Sequence, residues 1–124
     1  MILLDTNILL EILENRRKHD AVTRAIANSS QPFAITVLTI SDVFYIAERN
    51  KLDFGKVENL IKSHQYIDVV SADVDWALAY YKGKDFEDAL QVAAALRKKC
   101  TAFMTIDSSL AKKYNKFLAV DLIV

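Results

Sequence analysis

Short apolar runs alternate along this chain with longer stretches of helical period. Ile2-Leu3-Leu4, Phe33-Ala-Ile-Thr36, Tyr66-Ile-Asp-Val-Val70, Ala102-Phe-Met-Thr105 and Phe117-Leu-Ala-Val120 have the length and apolar continuity of buried strands. Between them, apolar residues recur three and four apart: Ile8/Leu9/Ile12/Leu13, Val22/Ala25/Ile26, Val43/Ile46/Ala47, Val57/Leu60/Ile61, Trp76/Ala79/Tyr80 and Ala89/Val92/Ala93/Leu96. That spacing lays one apolar stripe along each helix. Pro32 introduces the second strand, just after the helix stop Asn28-Ser29-Ser30. Short apolar strands alternating with helices predict a parallel sheet covered on both faces. The expected fold is α/β, a three-layer α-β-α arrangement with a mostly parallel central sheet of about five strands.

Composition adds limits. With 124 residues, two Gly and one Pro, the chain reads as a single domain over 1–124, without linker, repeat or low-complexity segment. Sixteen Lys and Arg balance sixteen Asp and Glu, so no net field advertises a polyanionic partner. A nuclease stays open, because divalent ions bring positive charge to a site by themselves. Cys100 is the only cysteine, which excludes an internal disulfide and a cysteine-held zinc; it reads as a small buried apolar residue. Met1-Ile-Leu-Leu-Asp5 lacks the features of a signal peptide, and Asp5 and Asp42 interrupt the apolar runs that could span a bilayer. The expected location is cytoplasmic, with no membrane partner.

A parallel sheet gathers functional groups at the carboxyl ends of its strands. Asp5 closes the first strand and Asp107 lies just beyond the fourth. Asp42 falls early in the helix after the second strand, and Asp88 in the first turns of the helix from Asp85 to Lys99. These four can converge on one crevice, where unneutralised carboxylates would repel and recruit a counter-charge. A hard divalent cation suits such an all-oxygen site. Each acid also has a structural reading. Asp5 can cap a helix, although Thr6 can do so too. Asp85 and Asp88 stand at the spacing of a capping-box variant, Asp107 precedes Ser108 and Ser109 as a cap would, and Asp42 alone is an ordinary helix-surface acid.

His19 and His64 lack a second ligand at metal spacing and read as surface residues. Arg16-Arg17-Lys18, Arg97-Lys98-Lys99 and Lys112-Lys113 are small basic clusters. The last two either complement helix ends or steer phosphates toward the acids. Trp76, Tyr80 and Tyr81 read as packing, and Phe44 and Tyr45 as an apolar helix surface available to a partner.

The blocks Leu4-Asp5-Thr6-Asn7-Ile8-Leu9, Thr39-Ile40-Ser41-Asp42-Val43, Asp85-Phe-Glu-Asp88-Ala-Leu-Gln-Val-Ala-Ala-Ala95 and Thr105-Ile106-Asp107 resemble the signature blocks of PIN domains, particularly the small VapC-like proteins. They stand in that family's order and cover nearly the whole chain. The resemblance implies a metal-dependent endoribonuclease that hydrolyses RNA with Mg2+ or Mn2+, the toxin of a toxin–antitoxin pair. It implies Asp5, Asp42, Asp88 and Asp107 as catalytic acids, with Asp5, Asp88 and Asp107 on the metal and Thr6, Asn7 and Thr105 in support. RNA, an antitoxin protein and a second copy of the chain are the implied partners. Asp42 departs from the pattern, since the family usually carries Glu there. Two alternatives remain: a PIN-fold binding protein without catalysis, and a receiver-type signalling domain. The second expects paired acids after the first strand and a phospho-accepting Asp after the third, where this chain has Thr6 and Ser71.

Overall fold

A computed structural model describes residues 1–124. In chain order the elements are β1 (Ile2–Leu4), α1 (Thr6–Leu13), α2 (His19–Ala27), β2 (Phe33–Thr36), α3 (Val37–Arg49) and α4 (Phe54–Lys62). They continue with β3 (Gln65–Ile67), α5 (Ser71–Tyr80), α6 (Phe86–Arg97), β4 (Ala102–Thr105), α7 (Ser108–Tyr114) and β5 (Val120–Leu122). The strands form one sheet in the order β3-β2-β1-β4-β5, with every neighbouring pair parallel. The expected α/β fold is therefore the observed one.

Strand alternation divides the interior. Ile2, Leu4, Ile35 and Met104 face α1 to α4, where they pack with Ile8, Leu9, Val22, Val43, Val57 and Ile61. Leu3, Ala34, Ile67 and Phe103 face the other way, toward Ala77 of α5, Ala89 and Val92 of α6, and Leu110 and Tyr114 of α7. Successive side chains of a strand point to opposite faces, so a strand covered on both sides must be apolar at every position. Leu3 and Leu4 are both fully buried.

Two strands and one helix face differ from the pattern reading. The third strand is Gln65–Ile67 and stops short of Val70, because the Val70 N–H donates to the Asp73 carboxylate at 2.9 Å and turns the chain into α5. The fifth strand is Val120–Leu122 rather than 117–120. Phe117 is drawn instead into an aromatic cluster, its ring 5.2 Å from Trp76 and 5.0 Å from Tyr80. On α5 the buried positions are Asp73 and Ala77, while Tyr80 is exposed.

The order of strands reverses between β1 and β4: the chain steps outward from β1 to β3, then returns to place β4 on the other side of β1. In open α/β sheets such a reversal opens a crevice at the carboxyl ends of the two strands. Asp5 follows β1 there, and Thr105 and Asp107 end and follow β4. The order also differs from the 2-1-3-4-5 arrangement of receiver-type folds, which removes that alternative.

Candidate active site

Asp5 leaves β1 in extended conformation, its N–H still donating to the Met104 carbonyl at 2.9 Å, and becomes the N-cap of α1. Its carboxylate is 5% exposed and takes four hydrogen bonds. The Thr6 N–H (2.8 Å) and the Gln91 amide (3.4 Å) donate to Oδ1; the Thr105 hydroxyl (2.7 Å) and the Asn7 amide (3.1 Å) donate to Oδ2. No Lys, Arg or His forms an ion pair with it. Burial raises its pKa, the bonds from Thr105 and Thr6 oppose the rise, and the charge of Asp107 adds to it.

Thr105 ties the ends of the two central strands together. Its hydroxyl donates to Asp5 and accepts from the Asn7 amide at 3.3 Å and from the Asp107 N–H at 3.0 Å. Asp107 caps α7, its Oδ1 accepting from the N–H groups of Ser109 (2.9 Å) and Leu110 (3.2 Å). The capping reading of Asp107 therefore holds, and it occupies only one of the two carboxylate oxygens. Asp5 likewise caps α1 through Oδ1, but its Oδ2 also accepts, from Thr105 and Asn7.

Asp85 stands at the N-cap position of α6 in left-handed conformation, φ 57° and ψ 48°, and its side chain makes no capping bond. A capping side chain normally needs extended backbone, so the capping-box reading of Asp85 and Asp88 is corrected. Asp88, in the first turn of α6, is pushed up to about 7 by burial, then by the charges of Asp5, Asp85 and Asp107, against a smaller pull from Lys113. The rise occurs at a helix N-terminus, which ordinarily favours anions. Glu87 is exposed as a residue, yet its carboxyl is partly desolvated where it meets Asp42. It is pushed up to about 8 by that desolvation, the hydrogen bond to Asp42, and the charges of Asp42, Asp88 and Asp5.

Acids from four segments thus share one field: Asp5 after β1, Asp42 on α3, Glu87 and Asp88 on α6, and Asp107 after β4. Asp42 lies at the edge of the group, against Glu87. Gln91, Thr36, Thr39 and Glu87 belong to this region and escape the pattern reading, although Gln91 was marked by being the one polar residue within Ala89–Ala95. Tyr114 is another: its buried hydroxyl has no hydrogen-bond partner, and burial, Asp88 and Asp85 raise its pKa.

The donor chemistry fits a hard divalent cation, being carboxylate oxygen throughout. No three acidic, histidine or cysteine side chains are already arrayed around one point. The fit is therefore to an ion that takes one or two carboxylates directly and keeps waters, as Mg2+ does. The site is a charged rim. The surface grooves run elsewhere, past Ile12, Leu60 and Ser63 and beside Tyr45, and hold none of these acids.

Of the basic clusters, Arg97 is bonded to Asp73 and Asp68 at the far end of α6, nine residues and roughly 13 Å along the helix from Asp88. Lys113 is nearer, close enough to Asp88 to lower its pKa. His19 pairs with Asp20, and His64 bonds the Leu60 carbonyl, both away from the acids.

None of the curated proteins is significantly similar to the chain. Among solved structures, a toxin–antitoxin complex from Klebsiella pneumoniae is similar with a TM-score of 0.79 and 19% identity, over 100% of this chain and 98% of that one. A sarcin–ricin-loop-cleaving VapC toxin from Mycobacterium tuberculosis follows at 0.74 and 15%, over 90% and 94%. A VapBC complex from Rickettsia felis, bound to a DNA fragment from its promoter, stands at 0.73 and 16%, over 98% and 98%. At these identities the likeness speaks for the fold. The family model for the PIN domain matches residues 2–116, nearly the whole chain, and the protein belongs to the PIN domain family.

Proposed function

We propose that this chain is a metal-dependent endoribonuclease and the toxin of a toxin–antitoxin pair, acting on RNA in the cytoplasm. The observation that carries the reading is the gathering of Asp5 and Asp107 behind β1 and β4, where the strand order reverses, with Asp88 of α6, which burial and then the charges of Asp5, Asp85 and Asp107 push up to about 7. A buried carboxylate that has no ion pair and shares its field with half-buried acids is characteristic of sites built for a metal. Asp5, Asp88 and Asp107 are the acids that would hold the ion, one or two of them directly and the rest through its waters, and Asp42 acts with them from the rim. Mg2+ or Mn2+, when bound, supplies water activation and charge neutralisation at the phosphodiester. Thr105 and Asn7 fix the Asp5 carboxylate by donating to Oδ2, and the Thr6 N–H fixes Oδ1.

The similar structures include toxin–antitoxin complexes, which supports an antitoxin as partner. Tyr45, 65% exposed on α3, and the adjoining Phe44, packed against Phe54, offer an apolar surface for an antitoxin segment or a second copy of the chain. Incubation with single-stranded RNA tests the function. Cleavage should require Mg2+ or Mn2+, stop with chelator, and be inhibited by the cognate antitoxin. Uncut RNA at every metal concentration would instead favour the fold acting as a binding protein, the reading to which Asp42 in place of Glu lends support.

A further inference from the structure

Behind Asp5 lies a buried polar chain that the acids alone do not explain. Gln91 is 1% exposed, and Thr36 and Thr39 are fully buried. The hydroxyls of Thr36 (3.1 Å) and Thr39 (3.0 Å) both donate to Gln91 Oε1, which is an acceptor only. That fixes the amide, because turning it over would aim Oε1 at the Asp5 carboxylate and lose the bond from Nε2. Thr39 has one hydroxyl proton and spends it on Gln91. The 2.9 Å contact between the Thr6 and Thr39 hydroxyls must therefore have Thr6 as its donor. The three hydroxyl protons each have one place to go, from Thr6 to Thr39 and from Thr39 and Thr36 to Gln91, and one of the two Gln91 amide protons goes to Asp5.

We propose that Gln91 is a positioning residue of the acidic site, holding Asp5 Oδ1 and, through Thr39, committing the Thr6 hydroxyl to face the site as an acceptor. A Thr6 oxygen whose proton points inward could accept a hydrogen bond from a water of a bound ion and would have none to donate to a phosphate. It thus orients water and leaves the substrate to other groups. The role rests on the hydrolase reading above, but the hydrogen-bond chain exists without a metal and is testable without one.

The experiment uses the whole protein with Gln91→Met, Thr39→Val and Thr39→Ser. Without added metal, the Gln91 side-chain amide protons should exchange slowly in the wild type, and their NMR resonances should move in Thr39→Val and in Asp5→Asn but stay near place in Thr39→Ser. With Mn2+ added, Gln91→Met and Thr39→Val should each weaken binding by about 10- to 100-fold. The RNA kcat should fall while KM stays within about twofold, and Thr39→Ser should restore both. The double variant Gln91→Met with Thr39→Val should lose no more than either alone, since one chain is broken once. Gln91→Met that folds and keeps wild-type Mn2+ affinity and kcat overturns the proposal. So does a Gln91 amide that exchanges as fast as an exposed one. If the wild type binds no Mn2+ and cuts no RNA, the hydrolase reading fails, and the amide exchange still decides for or against the positioning of Asp5.

Discussion

Asp5 and Asp73 are both buried aspartates, 5% and 2% exposed, and they are held in opposite ways. Asp73 meets the Arg97 guanidinium, whose Nε and Nη2 donate to its two oxygens at 3.0 to 3.3 Å, and it also accepts from the Val70 N–H. Arg97 reaches on to the Asp68 carbonyl at 2.7 Å, so the ion pair staples the C-terminal end of α6 to the start of α5. Asp5 has as many donors and no cation, and Asp107 and Asp88 lie within its field. Neutral donors orient a carboxylate without cancelling its charge. A buried acid matched to a guanidinium serves the fold. One left facing other acids, with only neutral donors, keeps its charge unmatched within the fold.

Exchanging one member at each place tests this contrast. Asp5→Asn should lower RNA cleavage by at least about 100-fold, as loss of a principal metal-holding group would, with the stability of the metal-free protein changed by no more than about 1 kcal/mol. Arg97→Met should do the reverse. It leaves Asp73 charged and buried, which should cost about 3 kcal/mol and lower Tm by on the order of 10 °C, while kcat on RNA stays near wild type. Thermal denaturation and single-stranded RNA cleavage, measured on both variants, check the pair. Equal stability losses in the two would erase the distinction.

The pH dependence separates the regions more finely. A carboxyl whose pKa is raised in the folded state binds its proton more tightly there, so its contribution to stability is full below the unfolded value and is lost as pH rises through the folded one. For Asp88 that interval runs from 3.8 to about 7, and for Glu87 from 4.5 to about 8. Without metal, the wild type should therefore lose stability between pH 3.8 and about 7 relative to Asp88→Asn. Saturating Mg2+ should flatten that difference. Tm against pH for the two proteins, at fixed ionic strength, gives the answer; parallel curves would mean that Asp88 is not under strain.

The smallest expected effect is at Asp42. Aspartate falls short of glutamate by about 1.5 Å of carbon–carbon reach, and Glu87 stands against it. Asp42→Glu should cut single-stranded RNA at least as fast as the wild type, and Asp42→Asn more slowly than both. Asp42→Asn cutting as well as the wild type, with Asp5→Asn dead, would make Asp42 an ordinary helix-surface acid.

Much of this was legible in the chain. Apolar runs of strand length between helical stripes specify a doubly covered parallel sheet, because a strand buried on both faces has no polar position to spare. Asp5 and Asp107 could be placed at strand ends for the same reason. Less legible was anything depending on partners far apart in sequence. Phe117 looks like strand and is claimed by Trp76. Asp73 looks like a surface acid until Arg97, 24 residues later, reaches it. Gln91 joins Asp5 across 86 positions, a contact that no local periodicity encodes.

The most direct measurement is thermal denaturation of the wild type and Asp5→Asn over a Mn2+ titration, with Arg97→Met alongside. A ligand that binds only the folded state raises stability by about 2.7 kcal/mol at a hundred times its Kd. The wild type and Arg97→Met should both rise by comparable amounts, and Asp5→Asn should stay flat. A wild-type curve that does not move, at Mn2+ concentrations that support RNA cleavage, would contradict a metal site built on Asp5.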